Sequence, residues 1–169
     1  MSLIHDAEVW QKRLAALPLT SYGPGETVFA EGTSTGRLLI LKTGAVSIVK
    51  GGIEIAKVIE PGAVLGELSA LLDQPHTADV RTLETSEFHV ADAAALLAED
   101  PVALLYVTMV LARRLNGANQ LLLELKSQIQ AGESPSLIGK TVDRIEGMLS
   151  AIGTGYIRAG AAYSMYPFA

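Results

Sequence analysis

The chain contains no cysteine, which excludes disulfides, thiolate zinc sites, cysteine-ligated iron–sulfur clusters and a cysteine nucleophile. It has no surplus of basic residues: 13 Lys and Arg stand against 18 Asp and Glu, for a formal charge of −5 and an isoelectric point near 5.2. A surface built to neutralise nucleic-acid phosphates needs clustered cations, so no direct nucleic-acid partner is expected. Long hydrophobic runs are also missing. The most apolar stretch, 101–112, is well short of the roughly 18 to 20 residues a spanning helix needs. The start, MSLIHDAEVW, lacks the basic and apolar regions of a secretory signal. Together these absences predict a cytoplasmic protein with no membrane partner. No repeat of solenoid length and no low-complexity tract is present.

What the chain does have is 169 residues, of which 49% are hydrophobic, enough for one core and too few for two full domains. Its mean hydropathy of +0.33 is high, so some apolar surface is expected to be covered by another chain. Trp10, Leu14 and Leu17 recur at helical spacing after Asp6, which predicts a short helix capped by Asp6 and ended before Pro18. From Tyr22 the period changes to short alternating or β-branched runs: TVFAEG, RLLILK, GAVSIVK and IEIAKVIE, the last two joined through Gly51 and Gly52. A two-glycine link between such runs predicts a hairpin. Further strands are expected at Thr77 to Leu83 and Ser86 to Val90, so the middle of the chain reads as a closed or folded-over β-structure.

Helical spacing returns after Asp92, which suits a cap, and Pro101 suits the first turn of a longer helix. Along that helix Leu111, Leu115, Ala118, Leu122, Leu125 and Ile129 alternate by four and three residues, a coiled-coil-like seam. The seam either lies on the chain's own β-structure or meets a second subunit, and its length beyond the β-region favours the second. A further helix is expected from Ser134 and Pro135, with Ile138, Val142, Ile145, Leu149 and Ile152 on one face.

The stretch LGELSALLDQPHTADV, residues 65–80, carries the most chemistry. A glycine before an acid opens a short helix and leaves backbone N–H groups free at its start, where an anion is favoured. Glu67 is alternatively only an ordinary first-turn acid. His76 follows a proline; an imidazole near its ordinary pKa of about 6.5 is partly charged at neutral pH.

The order YGPGETVFAEG (22–32), RLLILKTGAVSIV (37–49), PGAVLGELSALLDQPHTADV (61–80) and then a helix containing LARRL (111–115) resembles the cyclic-nucleotide-binding domain of catabolite-activator and fumarate–nitrate-regulator type, over roughly residues 10 to 130. The resemblance implies a mainly β fold of the α+β class: an eight-stranded jelly-roll β-roll with an N-terminal helix and C-terminal helices, one of them a long dimerisation helix. It divides the chain into a cyclic-nucleotide-binding domain over 1–131 and a C-terminal helix and tail over 132–169, with no helix-turn-helix domain.

The family's phosphate-binding cassette falls on residues 65–80. It implies that Glu67 accepts a hydrogen bond from the ribose 2′-OH, that backbone amides around Gly66, Leu68 and Ser69 meet the cyclic phosphate, and that Thr77 adds a contact. The ligand implied is cyclic AMP or cyclic GMP, with no metal or other cofactor. Asn116 or Asn119, after LARRL, is placed to meet the base. The family's cassette usually has arginine where this chain has His76, and the two differ at a forked anion contact. Either a protonated His76 or Arg81 on the next strand is left to supply the charge; Asp79, on the same strand face as Arg81, is the competing partner.

The function expected is a regulatory sensor, not an enzyme, that signals as a homodimer through the 101–131 helix. Its rival is a degenerate module that keeps the fold, binds no nucleotide and acts in protein interaction. A metal enzyme on a cupin-like barrel is disfavoured because His5, His76 and His89 are far apart in sequence.

Overall fold

The computed structural model describes residues 3–132 together with 136, 139 and 140, with side chains described from residue 9. Helix α1 (Leu3–Ala16) carries Trp10 and Leu14 on its buried face, 2% and 4% exposed. It ends ahead of Pro18, but it begins before the expected cap: Asp6 lies inside the helix.

Eight strands follow: β1 (Leu19–Tyr22), β2 (Thr27–Phe29), β3 (Arg37–Thr43), β4 (Val46–Lys50), β5 (Ile53–Val58), β6 (Val64–Leu65), β7 (Asp79–Thr82) and β8 (Ser86–Asp92). They form two four-stranded sheets, in the orders β1-β8-β3-β6 and β2-β7-β4-β5, and every pairing is antiparallel. This is the eight-stranded roll the sequence implies. The expected strand from Thr77 begins two residues later, at Asp79, because residues 76–78 are held to a loop instead of a ladder. Strands β1 and β6 lack a sequence signal: β6 has only two residues, too few for alternation to show.

Strand β3 explains why RLLILK is continuously apolar. Leu39 and Leu41 face the core inside the roll with Phe29, Val46, Val58, Val80 and Phe88. Leu38 and Ile40 face outward into a second cluster with Trp10, Leu14, Val64, Ala103 and Val107. A strand buried on both sides loses its polar alternation. The hairpin of β4 and β5 turns at Gly51 and Gly52, both with positive φ, 56° and 81°, the signature of the two-residue turn that matches strand twist.

Helix α2 (Glu67–Leu72) interrupts the roll after β6. Helix α3 (Ala93–Glu99) is capped by the Asp92 carboxylate, which accepts from the Ala95 N–H at 2.8 Å. Helix α4 (Pro101–Gln130) starts on Asp100, whose carboxylate accepts from Val102 N–H and Ala103 N–H at 3.0 and 3.3 Å. Arg13 of α1 pairs with the same carboxylate at 2.9 Å, and Trp10 stacks on Tyr106 with centroids 4.6 Å apart, so α1 and α4 brace each other.

The stripe of α4 that lies on the roll is Ala103 and Val107, with Leu111 of the seam packed beside them. Leu115, Leu122 and Ile129 of the seam are 64%, 65% and 64% exposed. Those three residues do not lie on the chain's own roll, whereas Leu111 does. No single helix among the described residues is long and apolar enough to cross a membrane; α3 and α4, which would pass only when taken together, are bent by 106° at their junction. Apart from residues 136, 139 and 140, which are helical, the helix expected from Ser134 lies outside the described residues.

Candidate functional site: a cavity under the cassette

A cavity of about 280 Å³ opens between α2, the inner face of the β2-β7-β4-β5 sheet and α4. That is near the lower end of the roughly 300 to 1,000 Å³ typical of small-molecule sites. Its floor is apolar: Phe29, Ile48, Ala56, Val58 and Val80 line it, all from one face of the sheet. Ile48 is paired with both Ala56 and Val80. Between the pairs Ile48↔Ala56 and Val49↔Glu54 the register shifts, which leaves Ile55 without a ladder partner; a bulge of this kind re-aims side chains, and Ile55 also lines the cavity.

The cassette forms the roof. Gly66, Glu67, Leu68, Ser69, His76 and Thr77 all line the cavity, so six of the seven residues singled out in the sequence meet at one place. The seventh, Asn119, is exposed on α4 outside the cavity wall, as is Asn116. Gly66 precedes α2 with φ 90°, a left-handed conformation that favours glycine. A Cβ there would stand 2.7 Å from the Arg37 carbonyl oxygen and 3.1 Å from the Phe29 ring. The turn that starts the cassette helix therefore admits no side chain. At the far end Asp73 is also left-handed, with φ 48°, and the Ser69 hydroxyl donates to the Gln74 carbonyl at 2.5 Å. Ser69 thus closes the helix with its side chain.

Glu67 is 4% exposed. It is more than a first-turn acid: its Oε1 accepts from Arg114 Nη1 in a buried ion pair, and Arg114 Nη2 donates to the Val64 carbonyl at 3.2 Å. Arg114 also lines the cavity. Sequence reasoning used LARRL only as a family marker and missed this partner, 47 residues away. A visible signal existed: Ala103, Val107, Val110, Arg114, Gly117 and Leu121 are spaced by four and three residues, so Arg114 shares the stripe that is otherwise buried.

His76 is 5% exposed and fixed on every side. Its N–H donates to the Thr33 carbonyl at 2.7 Å and its carbonyl accepts from Gly32 N–H at 2.8 Å. Its ring stacks on Phe29 with centroids 4.1 Å apart and planes 23° apart, and Nε2 shares a hydrogen bond with the Thr35 hydroxyl at 2.9 Å. Burial away from water pushes its pKa below the ordinary histidine value, so the neutral form predominates at pH 7. In the free protein burial thus shifts His76 further toward the neutral form than its ordinary pKa implies, and its ring forms an aromatic wall with Phe29.

Arg81 does not replace it. Val80 points inward, so by alternation Asp79 and Arg81 point outward, and Arg81 Nη2 pairs with Asp79 Oδ2 at 2.6 Å. The Glu31 N–H at 2.7 Å and Arg81 hold the Asp79 carboxyl below its usual range. Of the two alternatives for Arg81, neutralisation by Asp79 is the one realised.

Residues 19–99 match the family model described as the cyclic nucleotide-binding domain. That match spans 81 of the 169 residues, just under half of the chain. Among solved structures, the Thermus thermophilus catabolite activator protein superposes with a TM-score of 0.59 at 23% identity, covering 84% of this chain and 82% of that one. A structure described as Sp-2Cl-cAMPS bound to PKAR CBD2 gives a TM-score of 0.56 at 18% identity, covering 80% and 88%. Both show the shared fold. A third, described as cAMP-bound PfPKA-R (141-441), has a TM-score of 0.48 at 20% identity; 72% of this chain matches it and spans 39% of its length. No curated protein matches the sequence.

Proposed function

We propose that this chain is a cytoplasmic regulatory module that binds a cyclic purine nucleotide, cyclic AMP or cyclic GMP, in the cavity under the cassette. The observation that carries the reading is the convergence of residues 66–69 and 76–77 on one cavity with a buried carboxylate, Glu67, in its wall. A carboxylate accepts hydrogen bonds and donates none, which suits a ribose hydroxyl. The amides opening α2 are suited to the cyclic phosphate. The reading assigns the chain no catalytic role and no direct contact with nucleic acid.

Signalling follows from the Glu67–Arg114 pair. A hydroxyl that engages Glu67 competes with Arg114, and so biases the position of α4 by the difference in affinity for its two settings. The exposed leucines of α4 are the proposed homodimer seam, and Asn119, near their middle, is placed to meet a base bound by the partner. Calorimetry with cyclic AMP and cyclic GMP at pH 7.5 tests the reading: saturable heats with either support it, and no heat with both from a folded protein refutes it.

One observation favours the second reading, a module that has lost its ligand: His76 is neutral, stacked and tethered, so it gives no forked anion contact. Under that reading wild type is silent with both nucleotides, and His76→Arg confers binding only if the cassette backbone is still competent.

A further inference from the structure

The cavity's charges do not cancel to zero. Glu67 and Arg114 neutralise each other and His76 is uncharged, yet one more cation lines the wall: Lys50, the last residue of β4. Strand alternation aims it inward. Val46 and Ile48 face the core, so Lys50, two residues on, shares their face. The carboxylates of Glu54, in the hairpin, and Glu31, beside it, form no ion pair with Lys50. Glu54 takes the Ser47 hydroxyl at 2.6 Å and Lys57 at 3.4 Å, and Glu31 takes the Gly51 N–H at 3.0 Å. Among the described residues Lys50 has no ion-pair partner.

Its place in the sheet is specific. Strands β4 and β7 pair as far as Val49↔Asp79, and Lys50 and Ala78 are the residues that follow and precede that last pair, both on the cavity wall. Ala78 continues directly from His76 and Thr77, and all three line the cavity with Lys50. We infer that Lys50 is the residue that pairs with the anionic group of the ligand, approaching from the neighbouring strand across Ala78. This rests on the proposed function, which makes that group a cyclic phosphodiester carrying one negative charge. A lysine ammonium on a flexible stem meets such an anion as a point charge without the planar fork of a guanidinium, so the contact depends on charge more than on orientation.

The test is calorimetry on the full chain with cyclic AMP, cyclic GMP and uncharged adenosine at low and high salt, for wild type, Lys50→Met and Lys50→Arg. Lys50→Met is expected to weaken the better cyclic nucleotide by roughly 10- to 100-fold, to flatten its salt dependence, and to leave any adenosine affinity within about twofold. Lys50→Arg keeps the charge and is expected to stay within about tenfold of wild type. Lys50 is exposed at the end of a hairpin, so circular dichroism of Lys50→Met should match wild type. If wild type binds a cyclic nucleotide and Lys50→Met binds it equally well, the role of Lys50 is refuted while the proposed function stands. If wild type binds neither cyclic nucleotide, both fall.

Discussion

Replacing Arg114 with methionine removes the cation from a carboxylate that is 4% exposed. Removing one partner of a fully buried ion pair costs about 3 to 5 kcal/mol, because the remaining charge is stranded away from water. Here the Arg114 side chain is 21% exposed, so solvent already screens part of the pair, and a cost of about 2 to 3 kcal/mol is expected. For a chain of this length that corresponds to a loss of roughly 4 to 12 °C in Tm. Urea denaturation followed by circular dichroism should show a lower midpoint with an unchanged slope, since the same surface is exposed on unfolding. The decisive variant is the double one, Glu67→Gln with Arg114→Met, which no longer buries a lone charge. It should be more stable than the sum of the two single losses by at least about 1 kcal/mol. A single Arg114→Met loss below about 0.5 kcal/mol, or strict additivity in the double variant, would mean that the pair does not bind α4 to the cassette.

Gly66→Ala forces a Cβ into the Arg37 carbonyl at 2.7 Å and a left-handed backbone, so its urea midpoint should report a loss of about 1 to 3 kcal/mol; a neutral result would show that the turn before α2 can relax. Burial lowers the pKa of both His76 and His89, so below about pH 6.5 the unfolded chain takes up protons that the folded chain does not. The stability these groups contribute is present above that value and is lost as pH falls. Urea midpoints should therefore drop between pH 7.5 and 5.5, less steeply in His76→Asn, and an identical slope in that variant would remove His76 from the account. Light scattering should return about twice the chain mass of 17.8 kDa, reverting to one chain mass in Leu115→Glu/Leu122→Glu. A monomeric wild type across working concentrations would leave the seam without the proposed partner.

Features that depend on neighbours in sequence were legible. The Gly51–Gly52 turn, the Asp92 cap and the Pro101 start of α4 each rest on a few adjacent residues whose local preferences agree with the fold. Residues 66–69 and 76–77 lie in one continuous stretch and also line one cavity. Errors arose where tertiary contacts decide. Asp6 has the chemistry of a cap, yet α1 extends past it. Thr77 and Ala78 have the composition of a strand, yet the backbone bonds of His76 to Gly32 and Thr33 tie the segment to a loop. Arg114 carries no local sign that its partner is Glu67, because that depends on where α4 crosses the roll.

The charges of the site show the limit more sharply. That Asp79 and Arg81 share a face follows from alternation alone; that it is the outer face follows only once Val80 is known to fill the roll. The same alternation, anchored by Val46 and Ile48, turns Lys50 inward, so strand parity removes one candidate cation from the cavity and supplies another. For His76 the residue identity was readable but its charge was not. A histidine's protonation is set by whatever surrounds it, and here the surroundings are Phe29 and Thr35, more than 40 residues earlier in the chain. Which basic residues a sequence contains is therefore a poor guide to which charge a cavity presents. Of the four basic side chains weighed for this site, Arg81 is turned away, Arg114 is paired, His76 is neutral and Lys50 alone is both inward and uncompensated.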